Sequence, residues 1–387
     1  MKTISWKYPV LEQVLIGADA ATAVRAEAER LDRRRVVLFT SRSVAGTAFF
    51  DSVVDGLGCR FAASFEAISA PASLRDVLSA AAVARAASAD LVVAVGGGAV
   101  IDGAKVALIC LRHAVTEPAE LLEYRGMDDA RHPGARPGDE ERWTRLLTVS
   151  TTLSAAEFTW WGGAYDPERG VKEPYGHPLM MARNIVLDPA ATLTAPTELL
   201  LATGMKAVDH AAERITTLRS EPLSEARAVQ SLRMLARGLR AVRADPTDLE
   251  ARLLCQTGMA VGMASPVTGA GVGASHAIGH VLGWYGVSHG HTSCTVLPAV
   301  MRWNREVNGS RQALIAEAMD RPGEEAGDVL EEFVAELALP TRLRDVGATR
   351  ADFLEIAKKV LNDRTIGGNA RRIDQPEQIL EILEMAW

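Results

Sequence analysis

The chain has 387 residues, 48% hydrophobic and 24% charged, with a net charge of −7. That is the balance of a soluble globular protein of about two domains. No run of about 18 uncharged apolar residues occurs, which argues against a membrane span, and the absence of any basic block argues against nucleic acid or anionic membrane as a partner. The N-terminus lacks the apolar core and small-residue cleavage site of a signal peptide. Cys59, Cys110, Cys255 and Cys294 form no CxxC pair, a spacing that fits reduced thiols in a cytoplasmic protein.

Strand-like and helix-like runs alternate in the first half. Residues 34–39 (RRVVLF) read as a buried strand, and 74–89 carry apolar residues at helical spacing. Residues 90–95 read as a second buried strand that ends at Gly96-Gly97-Gly98, and helical periodicity resumes over 99–111. This βαβα order predicts a mainly parallel sheet covered by helices. Residues 117–145, rich in charge, Gly and Pro, read as a surface loop. Strand-like 146–151 and an extended stretch at 182–187 follow. From Thr197 onward almost everything is helical in period, broken at 265–274, 286–290, 321–323 and 367–368. The expected division is therefore an α/β domain over 1–185 and an all-helical domain over 186–387.

The strand–glycine–helix passage at 91–105 (LVVAVGGGAVIDGAK) lets backbone N–H groups approach a phosphate, and the helix N-terminus adds about half a positive charge. Its spacing is not that of a Walker P-loop. Five of the eight histidines, His210, His276, His280, His289 and His291, lie between residues 210 and 291. His276 and His280, four apart, share one helix face. A triple glycine also serves as a plain tight turn, and a lone helical histidine is commonly a satisfied surface or core residue.

The segment GGGAVIDGAK resembles the GGGSxxDxAK signature of iron-containing alcohol dehydrogenases, with Ala99 in place of the serine. Further resemblances fall in order: Ser150 to Glu157, in the shorter spacing of maleylacetate reductases, then LDPAATLTAP (187–196), ATGMKAVDHAAE (202–213), SHAIGHVLG…SHG (275–290), LPAVMRWN (297–304) and NARRI (369–373). Dehydroquinate synthases resemble the glycine loop only. The resemblance implies the two-domain fold already inferred and a dinucleotide, NADP(H) or NAD(H), in the cleft between the domains. It places the diphosphate on Gly96, Gly97 and Gly98, further cofactor contacts at Thr151, Thr152 and Leu153, and Asp102 near the nicotinamide. It also implies a homodimer or higher oligomer. Strand 34–39 ends in Thr40-Ser41-Arg42-Ser43. Ser41 there is a cofactor-side candidate, and the arginine without a carboxylate leans toward NADP(H).

Metal-dependent members hold an ion with an aspartate and three histidines. The matching histidines are His210, His276 and His289, whereas Lys206 stands at the aspartate position. An ammonium repels a divalent ion, so metal independence is expected, although three histidines with an open position suit zinc. Without a metal, Lys206 is the candidate electrophile for the carbonyl oxygen, with His276, His280 or His289 as proton donor. Trp160 and Trp161 read as one core and one rim residue, with a substrate wall as the alternative, and Arg371 as a surface residue, with an acidic substrate group as the alternative. The expected activity is reduction of a keto acid or aldehyde, or oxidation of the corresponding alcohol, with a small-molecule substrate. A specialised biosynthetic tailoring dehydrogenase and a non-redox nucleotide-binding relative remain as alternatives.

Overall fold

The computed structural model describes residues 10–126, 139–263 and 271–387. Among the described residues six strands form one parallel sheet: β1 (Gln13–Ile16), β2 (Val36–Thr40), β3 (Phe61–Phe65), β4 (Leu91–Gly96), β5 (Arg145–Ser150) and β8 (Asn184–Leu187), in the order β1-β8-β5-β4-β2-β3. β2 and β4 are buried along their whole length, as β-branched, continuously apolar strands must be when helices cover both faces. Those helices include Ala20–Arg30, Ala48–Leu57, Leu74–Ala86 and Gly98–His113. The Leu74–Ala86 helix starts where it does because Ser73 and Asp76 form a reciprocal capping box. Between β5 and β8 the chain makes an antiparallel hairpin, β6 (Trp161–Asp166) with β7 (Val171–Gly176).

The parallel α/β unit and the helical unit agree with the sequence reading, but the expected boundary at 185 cuts through β8. Ile185, Val186 and Leu187 pair in register with Val14, Leu15 and Ile16 of β1. Asp188 then accepts the Ala20 backbone N–H, at 2.8 Å. The stretch through Ala195 therefore belongs to the first unit, and the second begins at Pro196. Of the expected surface loop at 117–145, residues 127–138 lie outside the described residues. Its start forms a short helix, Pro118–Leu122.

The second unit contains the helices Thr197–Thr216, Pro222–Ala244, Leu249–Met263, Ala274–Trp284, His289–Ala318, Ala326–Glu336, Phe353–Val360 and Pro376–Met385. Part of the expected break at 265–274 lies outside the described residues. The break at 286–290 is shorter than its glycines suggest: Gly286 turns the chain at φ +88, and Ser288 caps a new helix beginning at His289. Among the described residues no helix is long and apolar enough to cross a membrane. The cysteines are free thiols, all buried except Cys59.

Candidate functional site

Parallel strands end at one edge of their sheet, and there the cofactor-side candidates of the first unit gather. β4 runs into Gly96, Gly97 is the N-cap, and Gly98 opens a 16-residue helix. Close approach explains the glycines. A Cβ on Gly96 would lie 2.6 Å from Val100 Cγ2, one on Gly97 2.9 Å from Thr152 Cγ2, and one on Gly98 3.0 Å from Ser154 Oγ. The Thr151 N–H donates to Gly96 O at 3.1 Å, so Thr151, Thr152 and Leu153, all buried, line the same turn beyond β5. Beyond β2, Ser41 is the N-cap of a short turn, its hydroxyl 3.0 Å from that of Ser43. The bare, tightly approached helix N-terminus fits a dinucleotide phosphate.

Asp102 forms an ion pair with Lys172 of β7 at 2.9 Å, a partner that sequence reasoning missed. Gly162 of the hairpin packs against Asp102 so closely that a Cβ would sit 3.1 Å from the Asp102 carbonyl oxygen. Lys105, one helical turn on, is fully buried and donates to Thr159 Oγ1 and the Trp161 carbonyl, each at 2.8 Å, and to Ala156 O. Burial lowers its pKa to about 8. It pins the turn that leads into the hairpin. Glu157, also fully buried, has no hydrogen-bond partner on either oxygen among the described residues, and burial pushes its carboxyl upward. Trp160 and Trp161 meet edge to face at 5.5 Å, with Trp161 exposed.

In the second unit the Thr197–Thr216 helix presents Lys206, Asp209, His210 and Glu213 at helical spacing. Asp209 is completely buried. Its Oδ2 accepts the hydroxyls of Ser275 (3.0 Å) and Ser293 (2.7 Å) and lies 3.7 Å from Lys206 Nζ. Glu213 accepts the backbone N–H groups of Gly273 (2.7 Å) and Ser275 (2.8 Å), and its Oε2 lies 2.7 Å from His276 Nδ1. Burial, then the neighbouring Asp209 charge, push the Glu213 carboxyl up to about 8. His210 Nδ1 lies 2.8 Å from the Lys206 carbonyl oxygen, which accepts its N–H, and the His210 ring meets His276 edge to face at 4.3 Å. Burial, then Lys206, hold both imidazoles well below the usual histidine range. They are therefore neutral near pH 7 unless a proton is shared with a carboxylate partner.

His280 is the more open histidine. Its Nδ1 lies 2.9 Å from Asp363 Oδ2, and Asp363 is itself held by the Thr365 N–H and hydroxyl. His289 is the first residue of its helix, and its side chain lies outside the described residues. His291 pairs with Glu198 at 3.5 Å. Arg371 stacks over Trp303 at 4.1 Å, donates to the Trp303 carbonyl and lies 3.7 Å from the Glu306 carboxylate.

Three buried atoms of this cluster lack a hydrogen-bond partner among the described residues: Lys206 Nζ, Asp209 Oδ1 and His276 Nε2. A cationic donor and an imidazole nitrogen each suit a hydroxyl or carbonyl oxygen. The Lys206 ammonium, 3.7 Å from Asp209, opposes a divalent ion at these donors. Asp209, Glu213 and His276 bring ligand atoms within 4.8 Å of one another. However, His276 Nδ1 and Glu213 Oε2 are 2.7 Å apart, a hydrogen bond, whereas neighbouring ligands on a tetrahedral ion sit about 3.4 Å apart. At the other set, Lys206 brings an ammonium where the resemblance expects a carboxylate.

Comparison with known proteins places the whole chain. Residues 12–189 match the family model described as iron-containing alcohol dehydrogenase, and residues 200–387 the model described as Fe-containing alcohol dehydrogenase family, C-terminal. The Salmonella typhimurium protein named "Probable alcohol dehydrogenase EutG" is 31% identical over 81% of this chain and 77% of its own. "Dehydrogenase FUM7" of Gibberella moniliformis is 29% identical over 93% of this chain and 92% of its own. The crystal structure of a maleylacetate reductase from Agrobacterium tumefaciens shares the fold at a TM-score of 0.82 and 23% identity, covering 100% of this chain and 99% of that one. The chain belongs to the iron-containing alcohol dehydrogenase family and is an oxidoreductase of that kind.

Proposed function

We propose that this protein is a nicotinamide-dependent carbonyl reductase or alcohol dehydrogenase of the maleylacetate reductase kind, acting on a keto acid or aldehyde, in which the Lys206 ammonium stands in for a metal ion. One observation carries the reading: buried Lys206 Nζ and His276 Nε2 each lack a hydrogen-bond partner among the described residues. NADP(H) or NAD(H) would rest its diphosphate on Gly96, Gly97 and Gly98 and, when bound, supplies or accepts the hydride.

The protein's own groups manage the oxygen and its proton. As carbonyl becomes alkoxide, negative charge collects on oxygen, and Lys206 donates a hydrogen bond to it. Burial lowers the lysine's pKa, and Asp209, fixed by two serine hydroxyls, opposes that shift and favours the ammonium. His276 Nε2 gives the alkoxide its proton while Nδ1 takes one from Glu213 across their 2.7 Å contact. The pair thus goes from two protons to one, and the reverse direction restores the second. Asp363 holds the His280 ring, a second proton carrier near the same cluster. The protein acts on a small molecule in the cytoplasm as a homodimer or higher oligomer. A panel of keto acids and aldehydes offered with NADH and NADPH, followed by nicotinamide absorbance, tests the reading. No turnover of any carbonyl with either cofactor, despite nucleotide binding, would favour a non-redox relative.

A further inference from the structure

The sheet edge opposite the glycine loop carries a cavity that the reaction does not use. It measures about 390 Å³ and is lined, among the described residues, by Arg33, Asp90, Arg142, Trp143, Arg145 and Arg183, with Glu141 and two small residues completing the wall. Arg33 lies just before β2, Asp90 just before β4, Arg145 opens β5 and Arg183 precedes β8. Strand order alone therefore brings residues distant in sequence to one place.

The charges there are unequally satisfied. Both Asp90 oxygens accept backbone N–H groups, from Arg34 and Arg35. Arg145 pairs with Glu12 at 2.5 Å, and the nine-tenths-buried Arg183 lies 3.7 Å from the same carboxylate. Arg33 is different. Its side chain is part-buried and lines the cavity, and its Nε is shut off from solvent without a hydrogen-bond partner among the described residues. Trp143 closes one side as a flat wall, buried and stacked on His177 at 4.5 Å.

We infer that this cavity binds a small, multiply charged oxyanion, a phosphate ester or a polycarboxylate, through Arg33 and Arg142. Guanidinium forks match both chemistries in bidentate geometry. The ligand would sit apart from the glycine loop, so it is an effector or a second substrate group rather than the cofactor.

The test is calorimetric titration of the full-length protein, saturated with NADPH or NADH so that the glycine loop is occupied, using inorganic pyrophosphate in one arm and citrate in the other. The inference expects binding at or below about 1 mM in at least one arm, weakened by salt. The Arg33→Gln/Arg142→Gln variant should lose about ten- to a hundredfold in affinity with its circular dichroism unchanged. Binding in the pyrophosphate arm alone points to a phosphate ester, and in the citrate arm alone to a polycarboxylate. Equal affinity in the double variant means an adventitious ion only and overturns the inference, as does no heat in either arm.

Discussion

Replacing Lys206 by alanine separates its role in the reaction from its role in the fold. Its Nζ lies 3.7 Å from a carboxylate that is completely buried. Truncation leaves Asp209 with two serine hydroxyls and one oxygen already unpartnered. Breaking a buried ion pair from one side costs about 3–5 kcal/mol. The separation here exceeds hydrogen-bond length, so the low end of that range is expected. For the reaction, losing one preorganised oxyanion donor lowers kcat about 10²–10³-fold, or about 2.7–4 kcal/mol. The Lys206→Met/Asp209→Asn variant removes both charges together and should recover most of the stability while kcat stays low. Denaturant unfolding, steady-state kinetics in both directions and fluorescence titration of the cofactor read the three quantities apart. A kcat within about threefold of wild type in the double variant, or a loss confined to cofactor affinity, would refute the reasoning.

Reductive kcat/KM should fall as pH rises through about 8, because the Glu213 carboxyl titrates above its usual range and the donor form of the Glu213–His276 pair disappears there. The oxidative rate should rise over the same window, and Glu213→Gln should remove both inflections; unchanged profiles in that variant would count against the relay. Gly97→Asp, which sets a carboxylate against the diphosphate and crowds Thr152, should abolish cofactor binding in a fluorescence titration. Gly290→Ala places a Cβ 2.8 Å from the Ala202 backbone carbon and should destabilise the protein by about 1–3 kcal/mol in urea. Light scattering at micromolar concentration should give at least a dimer mass.

What the sequence disclosed depended on range. The glycine loop was legible because strand, turn and helix start are consecutive, and β2 and β4 because buried parallel strands are continuous apolar runs. β1, a four-residue edge strand with exposed ends, shows no such run, and without it the pairing that extends the first unit past residue 185 is invisible. The cluster around Lys206 was half legible. The histidines and the lysine stood out by type, whereas Asp209 and Glu213 look like ordinary helix residues. Their signal was the spacing 206, 209, 210, 213, one face of a single helix. Asp363 could not be found this way, since only the folded chain brings it to His280, 83 residues earlier. The hairpin lysine that meets Asp102, 70 residues before it, was hidden for the same reason.

Metal content, measured together with activity, tests the central claim most directly. The protein should be purified without chelators, its metals quantified per chain, and its turnover assayed before and after EDTA. If the Lys206 ammonium does the work of the ion, iron and zinc stay well below one equivalent and chelation leaves activity intact. One tightly bound equivalent whose removal abolishes turnover would contradict the account: His210, His276 and His289 would then be ordinary metal ligands, and Lys206 only their neighbour.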